Sequence, residues 1–337
     1  MDPFAISGKT IGEDQPCFIV AEGGLNHNGD PDLAVRLIEV ASAVGADAIK
    51  FQTYTPHELF PPDHPEFAKF QKTVFDKKTY LRLQDTAKSK KIILLSTPFD
   101  EASADLLDEI GVPAFKIGSG EVTHLNLLRH IAAKGKPIIL STGMSTLNEL
   151  DAAIAALCET GEAPLCLLHC VSSYPCPLEK ANVRAIETLR ERYGRLVGYS
   201  DHTTSDLAAL AAISLKACII EKHFTLSHHL PGWDHFFSYD PHQFEHFIHS
   251  IRQLESALGG KEKKVFDHEE PIRAIARRAI YARVPLKAGQ AISRESVIVR
   301  RPEGPLSADA LDWILGKTLL HDVAEGAPLR REDLRSD

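Results

Sequence analysis

The chain has 337 residues, 44% of them hydrophobic and 25% charged, which excludes a disordered or fibrous protein and predicts a sizeable core. Its 38 Lys and Arg against 46 Asp and Glu give a net charge of −8, and no basic run exceeds Lys261-Glu262-Lys263-Lys264, so the footprint of a nucleic-acid binder is missing. No apolar run approaches the roughly 18 residues that span a bilayer, and Met1-Asp2-Pro3-Phe4 lacks the pattern of a signal peptide. A cytoplasmic protein is expected, its six cysteines free thiols and mostly small buried hydrophobes. Cys166-Leu-Leu-His-Cys170 lacks the second pair that zinc spacing requires and reads as core.

In chain order, short apolar runs fall at 17–22, 46–52, 92–96, 114–117, 137–141, 165–170, 196–200 and 217–221. Each ends in a polar residue, as in parallel strands buried on both faces. Between them lie amphipathic helices. The first, at 31–44, has Asp30 as N-cap, Pro31 at the first helical position, a stripe of Leu33, Leu37, Ile38, Ala41 and Val44, and Gly45 beyond its end. Further helices are predicted at 77–90, 101–110, 124–134, 146–159, 181–193, 205–215 and 241–258. The helix at 146–159 opens with the capping box Thr146-x-x-Glu149. Eight strands each followed by a helix predict a (β/α)8 TIM barrel over residues 1–260. The long segment 55–77, rich in Pro, Phe and His, is expected over the active-site mouth. Residues 261–275 read as a linker without periodicity, and 276–337 as a small β-rich domain with one short helix at 308–315.

On a barrel the polar residues closing the strands converge on one face. Lys50 and Lys116, with Ser and Thr hydroxyls and the turn Gly118-Ser119-Gly120, make a cradle for a phosphate or carboxylate. The alternative is that both lysines only snorkel out of their strand ends. His202 and His223 close neighbouring strands and form a candidate pair for a divalent metal that leaves coordination sites open to substrate oxygens. Glu22 and Glu121 are the carboxylates best placed for proton transfer, or else for pairing with the lysines. Asp201 either orients a ligating histidine or caps the next helix.

The ordered motifs Ala21-Glu-Gly-Gly-Leu-Asn-His-Asn-Gly29, Ile49-Lys-Phe-Gln-Thr53, Ser96-Thr-Pro-Phe99, Phe115-Lys-Ile-Gly-Ser-Gly-Glu121, Tyr199-Ser-Asp-His-Thr203 and Glu221-Lys-His-Phe-Thr225 resemble those of the sialic acid synthase family. That family condenses phosphoenolpyruvate with an N-acylated sugar to nine-carbon 2-keto acids. The resemblance spans 17–335, and its C-terminal part, with Lys287-Ala-Gly-Gln-Ala-Ile292 and Val299-Arg-Arg-Pro302, looks like the family's antifreeze-like (SAF, β-clip) domain.

The resemblance implies that Lys50, Thr97, Lys116, Ser119, Ser141 and Ser200 hold phosphoenolpyruvate, and Ser172, closing the sixth run, is placed with them. It implies His202 and His223 as ligands of Mn2+, with Mg2+ or Co2+ as alternatives, and Gln52, Tyr174 and Asp234 as residues facing the sugar. Arg301 matches an arginine inserted into the partner's barrel, which implies a domain-swapped homodimer. Glu22 matches the carboxylate that handles the proton, with Glu121 as second choice. Gly232-Trp-Asp-His235 and Ser238-Tyr-Asp-Pro241 depart from the family pattern. The acceptor is therefore N-acetylmannosamine or 2,4-diacetamido-2,4,6-trideoxymannose. A pseudaminic acid synthase, another phosphoenolpyruvate-dependent ketoacid synthase and an inactive sugar-binding scaffold are the alternatives.

Overall fold

The structure is a computed structural model and describes residues 1–159, 161 and 163–335. The chain forms two compact units, Met1–Gly259 and Gly260–Asp337. No helix among the described residues is long and apolar enough to cross a membrane.

The first unit opens with a hairpin, β1 (Phe4–Ile6) and β2 (Lys9–Ile11). Eight parallel strands follow: β3 (Phe18–Gly24), β4 (Ala48–Thr53), β5 (Ile93–Pro98), β6 (Phe115–Ile117), β7 (Ile138–Ser141), β8 (Leu165–Cys170), β9 (Leu196–Asp201) and β10 (Ile219–His223). Their order in the sheet is β5-β4-β3-β10-β9-β8-β7-β6. The end strands β5 and β6 lie side by side without a ladder pairing among the described residues, so the sheet closes into a near-barrel of the TIM type. The predicted strands are all present, and most helices begin and end within two residues of their expected bounds.

Side-chain alternation along each strand sorts the residues into two layers. Ile19, Ile49, Leu94, Phe115, Ile138, Leu167, Val197 and Ile220 point outward into the core shared with the helices. Val20, Ala48, Leu95, Ile139, Cys166, Leu168 and Ile219 point inward and fill the barrel, joined from below by Ile6 and Ile11 of the hairpin. This interior leaves no room: a Cβ on Gly198 would stand 2.5 Å from the Ile219 carbonyl oxygen. On β3, β4, β5, β7 and β10 the next inward residue, Glu22, Lys50, Thr97, Ser141 and Glu221, is the polar one that faces the mouth.

Four features differ from expectation. The hairpin was not anticipated; its turn carries Ser7 and Gly8 at φ 48° and 84°, the positive pair of a tight hairpin, but three-residue strands give little pattern. The helix expected from 181 begins at Ala185, because Asn182 sits at φ 46°, which a helix cannot pass through. The segment 55–77 contains two short helices, Pro56–Leu59 and Phe67–Gln71. The segment read as a linker carries a helix at Glu270–Ala276 with Pro271 in its first turn, and this helix is too short to show a period.

The second unit has its own core of Ile280, Leu286, Ile292, Val297, Ile314 and Leu329. It is built on antiparallel strands β11 (Ala279–Ala282) and β12 (Val297–Arg300) and on isolated bridges such as Leu286–Val323 and Leu319–Leu334.

The hairpin acts as a plug, since Ile6 and Ile11 are fully buried. Ile11→Ala is expected to destabilise the barrel by about 2–5 kcal/mol, read as a lower urea midpoint. An unchanged midpoint would show that the barrel closes without the plug.

Candidate active site

The C-terminal ends of the strands surround a cavity of about 740 Å³. Thirteen of the residues singled out from sequence line it: Glu22, Lys50, Gln52, Thr97, Lys116, Ser119, Ser141, Ser172, Tyr174, Ser200, His202, His223 and Asp234. Two do not. Glu121 lies outside this lining, in the 3-10 turn Ser119–Glu121, with its carboxylate 3.4 Å from His124 Nδ1. Arg301 is exposed in the second unit, directly after β12.

The floor holds two cations and two anions, none more than 6% exposed: Glu22, Lys50, Lys116 and Glu221. Lys50 Nζ lies 2.7 Å from Glu22 Oε2 and 3.7 Å from Glu221 Oε2, and donates to Thr97 Oγ1 at 3.1 Å. Lys116 Nζ donates to Ser141 Oγ at 2.7 Å and lies 3.7 Å from Glu221 Oε1, while Ser200 Oγ donates to Glu221 at 3.0 Å.

These neighbours drive the two carboxylates apart. Burial, reinforced by Glu221, raises Glu22 to about 7 against the pull of Lys50. Burial also raises Glu221, but Lys116 and Lys50 together outweigh it and hold the group below its ordinary value. Burial lowers Lys50, yet Glu22 and Glu221 overcome this and leave it raised. Lys116 is lowered by burial and by Lys50, despite Glu221. One carboxylate is thus a fixed anion and the other is able to exchange a proton near neutrality. Ser172 Oγ, which also lines the cavity, is buried without a partner.

Above the floor stand His202 and His223, with ring centroids 5.5 Å apart and Tyr174 against both. His202 Nδ1 is 2.7 Å from the Val171 carbonyl oxygen, which assigns it the proton and leaves Nε2 as a free lone pair. His223 Nδ1 is buried without a hydrogen bond, 3.7 Å from Asp234 Oδ2. Burial lowers both imidazoles, and His202 lowers His223 further. Neutral rings with unused nitrogens fit a divalent ion. Among the described residues no cluster of three or more His, Cys, Asp and Glu is placed to hold a metal, so the remaining coordination positions would fall to substrate and water.

Comparison with known proteins gives this geometry a family. Residues 37–263 match the NeuB family and residues 277–335 the SAF domain. The chain belongs to the NeuB family. It is 38% identical to the N,N'-diacetyllegionaminic acid synthase of Legionella pneumophila, over 97% of both chains, and 39% identical to the enzyme of that name from Campylobacter jejuni, over 93% of this chain and 98% of the other. Among solved structures it resembles the N-acetylneuraminic acid synthetase of Leptospira borgpetersenii, crystallised with citrate, with a TM-score of 0.76 and 35% identity over 80% of this chain and 95% of that one. The chain is thus an enzyme of the sialic acid synthase type, as its motifs implied, with the barrel and SAF domain expected of it.

Within this NeuB-family cavity the structure gives places to residues that sequence reading left without a role. Glu221 bridges both lysines, and its signal was parity: it lies two residues before His223 on the same strand and so points inward with it. Cys170 also lines the cavity, with Sγ 3.1 Å from Ser119 Oγ, whereas Cys166 lies in the barrel interior, 3.8 Å from Cys218 Sγ. The segment 55–77 contributes Phe70 to the cavity.

Asp201 takes neither role expected of it. The next helix begins after Asp206, five residues on, and Asp201 points outward, where it accepts from Lys222 Nζ at 2.7 Å and from the Thr203 amide at 2.8 Å. Lys222 also donates to the Thr203 carbonyl at 2.6 Å and lies over the Tyr239 ring. At 1% and 2% exposure this pair ties the loop carrying His202 to the strand carrying His223. Lys222→Met strands a buried carboxylate and is expected to cost about 3–5 kcal/mol; adding Asp201→Asn should recover more than half. Equal unfolding free energies for the single variant and the wild type would show that the pair holds nothing.

Proposed function

We propose that the enzyme condenses phosphoenolpyruvate with the open-chain form of an N-acylated mannosamine-type sugar, N-acetylmannosamine or 2,4-diacetamido-2,4,6-trideoxymannose, and releases phosphate. The product is a nine-carbon 2-keto acid. The observation that carries this reading is the buried floor of Lys50, Lys116, Glu22 and Glu221 beneath two neutral histidines. Such a floor suits a small substrate bearing both a carboxylate and a phosphate.

Lys50 and Lys116 carry the positive charge, and Thr97, Ser119, Ser141, Ser172 and Ser200 supply hydroxyl groups around the same anion. A divalent ion at His202 and His223, manganese in the first instance, supplies Lewis acidity toward the aldehyde oxygen. With the two substrates aligned, the C2–C3 π pair of phosphoenolpyruvate forms a bond from C3 to the aldehyde carbon. The aldehyde C=O π pair passes to its oxygen, which takes a proton from solvent and becomes a hydroxyl, and the positive charge left at C2 is taken up by a water. Glu22, whose Oε1 lies 3.4 Å from Gln52 Nε2 and whose carboxyl titrates near neutrality, removes that water's proton. The bond from C2 to the phosphate oxygen then breaks with its electron pair passing to the departing phosphate, which also takes the remaining proton of the C2 hydroxyl as the ketone forms. Gln52, Tyr174 and Asp234 line the cavity beside Glu22 and His223 and are assigned to the sugar.

Arg301 is assigned to the acceptor's N-acyl carbonyl in the barrel of a second subunit, and the working form is therefore a homodimer. We place the enzyme in the cytoplasm, which keeps six unpaired cysteines reduced.

Phosphate release from phosphoenolpyruvate with Mn2+ and an N-acylated mannosamine tests the reading. Glu22→Gln is expected to lower kcat by about 10²–10⁴ while phosphoenolpyruvate still binds, and His202→Ala to remove turnover at micromolar Mn2+. Wild-type rates in both variants would contradict the assignment.

A further inference from the structure

Asp234 enters the cavity from the loop between β10 and the helix Pro241–Leu258. Beyond the bridge Phe224–Tyr239 that loop has no helix or strand to aim a side chain, so side-chain bonds must hold it. Behind it lie four polar residues without a part in the chemistry described above, Asn26, Thr225, His235 and Ser238, each at most 1% exposed. Burying such groups costs stability unless they are hydrogen-bonded, and none of the four is left without a partner.

Asn28, in the loop after β3, sits at φ 53°, a backbone state that asparagine tolerates better than most side chains. Its Nδ2 donates to the Pro231 carbonyl oxygen at 2.6 Å and to His235 Nε2 at 3.3 Å. Nε2 is therefore an acceptor and the ring proton lies on Nδ1, 2.6 Å from Thr225 Oγ1. Thr225 in turn donates to the Ser227 carbonyl oxygen at 3.2 Å. Burial lowers His235 below its ordinary value, which keeps the ring in this neutral form. Asn26 Nδ2 donates to the Phe224 carbonyl oxygen at 2.9 Å and to Ser238 Oγ at 3.1 Å, and Ser238 donates through its amide, at 3.1 Å, and its hydroxyl to the Asp234 carbonyl oxygen. The fit is close: a Cβ on Gly232 would stand 2.6 Å from His235 Cδ2 and 2.8 Å from Asn28 Oδ1.

Asp234 and His235 are consecutive, and the first lines the cavity while the second does not. Asp234 Oδ2 is 3.7 Å from His223 Nδ1 and 3.4 Å from where a Cβ on Gly24 would stand, a point that is also 3.2 Å from Glu22 Oε1. We infer that His235 is a positioning residue. Clamped between Thr225 and Asn28, it ties the loop after β10 to the loop after β3 and so holds the Asp234 carboxylate in place beside Glu22 and His223. A satisfied polar network fixes one geometry where apolar packing would admit several, and a displacement of about 1 Å at a reacting site is enough to cost a large factor in rate. The inference rests on the synthase reading and adds to it the residue through which Asp234 is aimed.

The test uses the full chain with Mn2+, phosphoenolpyruvate and whichever of N-acetylmannosamine and 2,4-diacetamido-2,4,6-trideoxymannose the wild type turns over faster. His235→Leu is expected to lower kcat/KM for that acceptor by about 10- to 100-fold, mainly through KM. The calorimetric Kd of phosphoenolpyruvate should stay within about twofold of wild type, because the floor is carried by other residues. His235→Asn, whose amide still donates to Thr225, should regain most of the loss. In an Asp234→Ala background His235→Leu should cost less than about threefold, because the group it aims is gone. If His235→Leu does not fold, Thr225→Val, which takes away the Nδ1 partner, is read by the same measurements and is expected to show the same loss. Wild-type kcat/KM in the folded variant overturns the inference and leaves the synthase reading standing. So does an undiminished loss in the Asp234→Ala background, or an equal fall in phosphoenolpyruvate affinity with no rescue by His235→Asn. Absence of phosphate release from the wild type with both sugars overturns the synthase reading and the inference with it.

Discussion

Four charged side chains buried on the barrel floor are the constraint on which the rest of the structure depends. A lone ammonium or carboxylate at that depth would lose its charge or unfold its surroundings. Lys50 and Lys116 stay cationic because Glu22 and Glu221 lie within 2.7–3.7 Å of them, and Glu221 stays anionic because it faces both lysines. The cage therefore exists before any substrate arrives. On the proposed reading, an incoming carboxylate and phosphate would take over ammonium groups that the fold has already desolvated and aimed, which is where preorganised electrostatics gain over water.

That cage needs a rigid floor beneath it and a fixed frame around it. The floor is the close-packed interior layer plugged by Ile6 and Ile11. The frame includes the outward pair Lys222–Asp201, which lies behind the two histidines and joins their backbones. The same strand sends Glu221 and His223 into the cavity and Lys222 out of it, so β10 serves both purposes through alternation alone. The mouth is built differently: the short helix Phe67–Gln71 supplies Phe70 and the loop after β10 supplies Trp233 and Phe236, while strands and strand tips supply the charged floor.

Most of the barrel was legible in the sequence, because buried parallel strands with polar tips and capped amphipathic helices leave a local signature. The candidate site was legible to the extent that tip residues point inward. Glu121 and Asp201 show where that reasoning needs parity: the first turns away in a 3-10 turn, and the second points to the helix layer. Glu221, two residues before His223, follows the parity rule and could have been found by it. The hairpin, the helix start at Ala185 and the helix at Glu270–Ala276 were hidden because short elements and a single positive-φ asparagine carry no period. Arg301 belongs to the second unit, and sequence motifs alone tie it to the barrel.

The central claim is that the preformed cage is the seat of phosphoenolpyruvate. Calorimetric titration of phosphoenolpyruvate into wild-type protein and into folded Lys116→Met and Lys50→Met variants addresses it most directly. The account predicts saturable 1:1 binding per chain in the wild type and a loss of about 100-fold or more in each variant, in keeping with removal of a charge-assisted contact from a buried site. Wild-type affinity in both variants would contradict it and move the anion site elsewhere.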